Sequence, residues 1–128
     1  MLKLNYTELG LFIEQVDVAL DVWIAQWVQL SVRTGQSVHI EPSRASFLVP
    51  GKAKSLATLK ALPEVVADSS IQTASVDYDT VEISFQGLWI AQQVEAEEGM
   101  FVVALSDRAE TLIRCLWQTA PYRASHLI

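Results

Sequence analysis

The chain has 128 residues, of which 51% are hydrophobic and 19% charged, with a formal net charge of −6. That length suits one domain with a sizeable core and leaves no room for two, and so apolar a composition excludes disorder. The acidity opposes nonspecific nucleic-acid binding, whose affinity comes mainly from Lys and Arg displacing counterions from phosphates.

Leu9, Ile13, Val16, Leu20, Trp23, Trp27 and Leu30 recur at alternating spacings of four and three, which places them on one helical stripe. Gly35, after Arg33 and Thr34, supplies a C-terminal cap. Gly10 and the run Leu11-Phe12-Ile13 suit a strand instead, so the expectation is a short N-terminal strand and a long helix from about Asp17, its cap, to Thr34. The period then changes. Val38 and Ile40 alternate with Ser37, His39 and Glu41, Pro42-Ser43-Arg44 reads as a turn, and Ala45 to Val49 as the antiparallel partner. Leu56, Leu59 and Leu62 predict a short helix ended by Pro63, and Val65 to Ser70 either continues it or forms a loop.

From Ile71 the pattern is β again. Val76 and Tyr78 precede a turn at Asp79-Thr80, and Val81, Ile83 and Phe85 alternate with Glu82, Ser84 and Gln86 as a half-buried strand. Gly87 suggests a bulge before Leu88 to Val94. An acidic turn, Glu95 to Gly99, leads to Met100 to Leu105, an unbroken apolar run of the kind found at a sheet centre. Ser106 and Asp107 cap a final helix with Ala109, Leu112, Ile113, Leu116 and Trp117 on one face, ended by Pro121. Gly10 to Val16 and Gly87 to Val94 are similar, but seven residues of common types make no repeat. Helices do not alternate with strands one for one, which disfavours a parallel doubly wound sheet. The expected fold is α+β: an antiparallel sheet of about five strands with a long helix in the N-terminal half, a short middle helix and a C-terminal helix packed on one face. Residues 1–120 form a single domain in this reading, and residues 121–128 a tail that is frayed or docked on a partner.

No stretch reaches the roughly 18 apolar residues a membrane helix requires; the richest, Val16 to Val32, is broken by Asp17, Asp21, Gln26 and Gln29. The first residues, Met-Leu-Lys-Leu-Asn-Tyr, lack an apolar signal core, so no membrane association and a cytoplasmic location are expected. The single cysteine, Cys115, permits no internal disulfide, which fits that compartment.

Candidate chemistry is sparse. His39 and Glu41 share a strand face, where a carboxylate could orient an imidazole for acid-base work or metal binding; the commoner use of such a pair is the solvated side of a half-buried strand. Asp77, Asp79 and Glu82 begin like a calcium loop, but Glu82 occupies the sixth position, where the sharp turn needs glycine. Glu95, Glu97 and Glu98 could receive a basic partner or a cation, and more ordinarily keep a turn between apolar strands soluble. Cys115 lies between Arg114 and Leu116 with no base in view. Ser43 and Ser46 lack the context of an activated nucleophile, and the five glycines are isolated. Neither cofactor nor metal is expected. Trp23 and Trp27, one helical turn apart, pack on the core or anchor an interface, where Trp is enriched. Pro42 to Arg44, beside Glu41, could serve as a recognition loop.

In size, acidity and element order the chain resembles the small acidic chaperones of bacterial secretion systems, dimeric α+β proteins that hold an extended partner segment. No residue motif carries that resemblance, and no site is transferred from it. An apolar excess on a small chain must partly reach the surface, where contiguous patches mark interfaces. The leading expectation is therefore a noncatalytic, homodimeric module that binds another protein through a helix face or sheet edge, with Trp23 and Trp27 at the interface. The alternative is a small enzyme or ligand-binding domain with a pocket near His39 and Glu41.

Overall fold

The computed structural model describes residues 1–68, 70–119 and, as backbone, 124–127. The fold is α+β, as the pattern of periods requires. Its strands are β1 (Leu2–Thr7), β2 (Gly10–Gln15), β3 (His39–Pro50), β4 (Ile71–Ser75), β5 (Thr80–Ala91), β6 (Gly99–Val103) and β7 (Ala124–Leu127); its helices are α1 (Leu20–Thr34), α2 (Lys54–Ala61), α3 (Pro63–Ala67) and α4 (Asp107–Thr119). All strand pairs are antiparallel, in the order β2-β1-β6-β5-β3-β7, with β4 also paired to β5. The expected tail thus includes β7, paired with Arg44 to Phe47, while Pro121 and its neighbours lie outside the described residues.

The N-terminal segment departs from expectation. Residues 2–15 form a hairpin of two strands, and α1 begins at Leu20 with Ala19, not Asp17, at its N-cap. The hairpin ladder continues one step further: Met1 and Val16 exchange both backbone bonds, at 3.2 and 2.9 Å. That pairing holds Val16 extended, and Val16 and Val18 pack beneath α1, so the helix cannot start before them. The C-terminal end is as the sequence implies. Gly35 adopts φ 71°, where a side chain would be strained, and Gln36 N–H donates to the Ser31 carbonyl at 3.0 Å.

The expected hairpin at Pro42 is absent. β3 runs unbroken from His39 to Pro50 in continuous register with β5, with Pro42 opposite Leu88. Proline lacks the N–H for a central strand, and Pro42 is tolerated because, among the described residues, β7 covers only Arg44 to Phe47 and nothing pairs with Pro42 on that side. No bulge interrupts the β3–β5 register at Gly87 either; Gly87 is where β5 exchanges one neighbour for another. β4 pairs with Val81 to Phe85 and β6 with Leu88 to Ile90. A Cβ on Gly87 would collide with the Val102 carbonyl and come within 2.8 Å of Phe101 Cζ.

Two apolar layers flank the sheet, which corrects the expectation of helices on one face. Phe47, Val49, Ile83, Phe85, Trp89, Phe101 and Leu4 pack with Leu56, Leu59 and Leu62 and with Ile113, Leu116 and Trp117, below α2 and α4. Ile90 and Val102 point the other way, joined by Ile40, Leu88 and Met100, and α1 rests on them through Trp23, Ile24 and Trp27. The alternation explains the division. Along the first half of β5 the second face carries Glu82, Ser84 and Gln86, and there Arg44 Nη2 donates to Ser84 Oγ at 2.8 Å and reaches Glu82 at 3.5 Å. The second half is apolar on both faces and needs a cover on each.

Pro63 ends α2 and opens α3 from its first position, where a missing N–H costs nothing. At α4 the expected cap is present: Ser106 Oγ accepts the Ala109 N–H at 3.2 Å. Glu110 on that helix is fully buried, 2.7 Å from the Met1 ammonium. Burial raises its carboxyl above the usual range, while the ammonium opposes the shift.

Candidate functional site

Trp23 and Trp27 of α1 pack against the sheet with Ile90 and Val102. Trp23 is 9% exposed, its ring 5.7 Å from that of Trp27, with the Lys3 ammonium 5.8 Å from its centroid. Trp27 is only partly covered. Beyond it a cleft of about 760 Å³ opens between α1, the end of β1 and the 92–98 loop. Trp27, Val38, Ile90 and Met100 supply its apolar surfaces, and Glu8, Glu95, Glu97 and Glu98 stand on its margin. The Glu8 N–H donates to Glu98 Oε1 at 3.3 Å, tying the 92–98 loop to the β1–β2 turn. Tyr6 lies at one end with its ring 5.7 Å from Trp89, edge to face, and burial pushes its phenol up to about 12, so it stays neutral across the physiological range.

Large apolar side chains are also exposed outside the cleft. Val22, Leu30 and Val32 of α1 are 48, 48 and 79% exposed, and Phe12 of β2 is 51% exposed.

The residues singled out from sequence fall in separate places. Trp23 belongs to the packing between α1 and the sheet, and Trp27 lines the cleft. His39 and Glu41 come together on β3, His39 Nε2 lying 3.1 Å from Glu41 Oε2 with both side chains partly covered. Their partners across the ladder are Ala91 and Trp89, which puts them on the face of α2 and α4, away from α1. Neither lines the cleft. The Asp77 carboxylate accepts the Asp79 N–H at 2.9 Å, the use of a turn aspartate that stabilises a hairpin. Cys115 is exposed on α4 and in no disulfide. Ser43 to Arg44, expected as a turn with recognition potential, are strand residues. Among the described residues no three His, Cys, Asp or Glu side chains gather to hold a metal ion.

Sequence reasoning found the acidic turn Glu95 to Gly99 and the tryptophan pair but did not bring that turn and Trp27 together. They meet because β5, ending at Ala91, and α1 both close on the loop that precedes β6. The signal available was the apolar second face of residues 88, 90, 100 and 102, which demanded a cover that only α1 could give.

No helix of the described residues is long and apolar enough to cross a membrane. No curated protein and no solved structure matches the chain. One family model, described as Alr0857-like, matches residues 1–121, and on that match the chain belongs to the Alr0857-like family.

Proposed function

We propose that this chain is a noncatalytic, cytoplasmic protein-interaction module that works as a homodimer and receives a segment of another protein in the cleft beside α1. The observation that carries the reading is the cleft itself: about 760 Å³, with Trp27, Val38, Ile90 and Met100 as apolar anchors and four glutamates at its margin. Apolar anchors supply affinity and charged rims supply orientation and on-rate. The fitting partner is a segment that alternates apolar and basic side chains. The test is affinity capture from the native host with the wild-type chain and with Trp27→Ala. A stoichiometric partner held by the wild type and lost from the variant supports the reading. A partner retained equally by both, or none at all, overturns it.

A second reading, a small-ligand or catalytic site at His39 and Glu41, is favoured by one observation. Glu41 Oε1 is shielded from solvent and makes no hydrogen bond among the described residues, while its other oxygen meets His39 Nε2. Polar atoms so placed are costly unless something satisfies them. A ligand screen by thermal shift tests it: a stabilising compound whose effect disappears in His39→Ala supports the site, and the same shift in both chains sinks it.

A further inference from the structure

We propose that two copies of this chain join through β2, antiparallel about a two-fold axis at Phe12, so that their sheets become one. The proposal rests on the reading of the chain as self-associating and specifies the surface responsible.

β2 ends the sheet, with β1 on its inner side. Backbone geometry fixes which of its groups face outward. Met1 and Val16 exchange both N–H···O bonds, so they form a hydrogen-bonded pair. Pairs in an antiparallel ladder alternate between bonded and non-bonded; in the same register Lys3–Glu14, Asn5–Phe12 and Thr7–Gly10 are then the bonded pairs. Leu11, Ile13 and Gln15 consequently turn their N–H and C=O groups to the open edge, three donors and three acceptors in a row.

Such an edge is a template for another strand, and proteins normally guard it with proline, lysine, a bulge or a projecting charge. The outer side of β3 has that protection in Pro42. β2, Gly-Leu-Phe-Ile-Glu-Gln, has neither proline nor lysine, and its register with β1 is unbroken. Its one charge, Glu14, is drawn back over β1 by Asn5 Nδ2 at 3.0 Å and Lys3 Nζ at 3.4 Å. Phe12 beside it is 51% exposed, and Leu9 in the turn 91%.

The strand complements itself in one register. With the axis at Phe12, the two phenylalanines form a non-bonded pair with their rings on the same face. Leu11 then bonds with Ile13 of the second copy, and Ile13 with its Leu11. Glu14 falls opposite Gly10 of the second copy, which leaves the two Glu14 carboxylates four residues apart, roughly 14 Å. Moving the axis to Ile13 would set Phe12 against Glu14, and moving it to Leu11 would set Phe12 against Gly10. Of the three, only the axis at Phe12 sets Leu11, Phe12 and Ile13 all against large apolar side chains and keeps like charges apart.

Light scattering on the full chain and disulfide trapping in a Cys115→Ser background test this together. Non-bonded antiparallel pairs hold Cα atoms about 4.5 Å apart, within the span of a disulfide. Phe12→Cys should cross-link to a covalent dimer, whereas Glu14→Cys should not. Phe12→Lys, with unchanged far-UV circular dichroism, should halve the mass of the wild type. A wild type that stays monomeric at high micromolar concentration refutes self-association and this interface with it. A dimer that survives Phe12→Lys, or that traps no Phe12→Cys disulfide, leaves self-association standing and overturns β2 as its surface. If Phe12→Lys fails to fold, the trapping pair decides alone.

Discussion

Replacing Gly87 by alanine tests the account of how β5 serves two neighbours. The added methyl would collide with the Val102 carbonyl, which belongs to a strand and cannot swing aside as a flexible side chain would, and would come within 2.8 Å of Phe101 Cζ. Phe101 is fully buried, so its ring has nowhere to retreat. Two effects oppose each other. Gly→Ala restricts the unfolded chain and stabilises by about 0.4–1 kcal/mol where the native backbone accepts alanine. Overpacking a well-packed interior costs about 1–3 kcal/mol and occasionally more. A clash against backbone belongs at the upper end, so the net loss should be about 2 kcal/mol. With a urea dependence of about 1–3 kcal/mol per molar, the midpoint should fall by roughly 1 M. Tryptophan fluorescence reports it directly, since Trp89 is buried two residues away. Gly51→Ala is the control, because its Cβ would meet the Asp79 carbonyl oxygen at 3.4 Å and Val81 Cγ2 at 3.8 Å, both ordinary contacts. Its stability should stay within about 0.5 kcal/mol of wild type. Equal midpoints for Gly87→Ala and wild type would refute the close approach of β5 and β6.

Trp23→Ala should cost about 3 kcal/mol, since the ring fills the space between α1 and Ile90 and Val102, and calorimetry would show a loss under 1 kcal/mol if α1 did not depend on it. Ser106→Ala removes the cap acceptor for Ala109 N–H and should cost about 1 kcal/mol by urea unfolding, with Ser106→Asp restoring it. Glu110 has its folded value raised above the unfolded one by burial, so its contribution is fully present below the ordinary carboxyl value and is lost as pH rises through the raised one. The stability of the wild type relative to Glu110→Gln should therefore decline as pH rises through the window above about 4.5, the ordinary carboxyl value. Unfolding midpoints measured from pH 4 to 8 that show a flat or rising difference would contradict this.

What the sequence determined by itself is whatever depends on local period and end chemistry. The final helix was legible because Ser106 and Asp107 cap a single apolar face, and the half-buried first part of β5 because Val81, Ile83 and Phe85 alternate with polar residues. The α+β class follows from the same periods. Pairing decided the rest. Pro42 is a turn residue by local preference and a strand residue here because, among the described residues, nothing pairs with it on the side of β7. Asp17 is a good cap by type, yet Val16 is held by Met1 across the hairpin, and the helix must wait. The cleft was least legible of all, since Trp27 is distant in sequence from Ile90 and Glu97 and meets them only after the sheet has set its order. Local preferences are worth a few tenths of a kcal/mol per residue, whereas covering an apolar second face is worth roughly 2 kcal/mol per large side chain. Where the two conflicted, burial decided: α1 lies over Ile90 and Val102, opposite the other helices, because that half of the sheet is apolar on both sides.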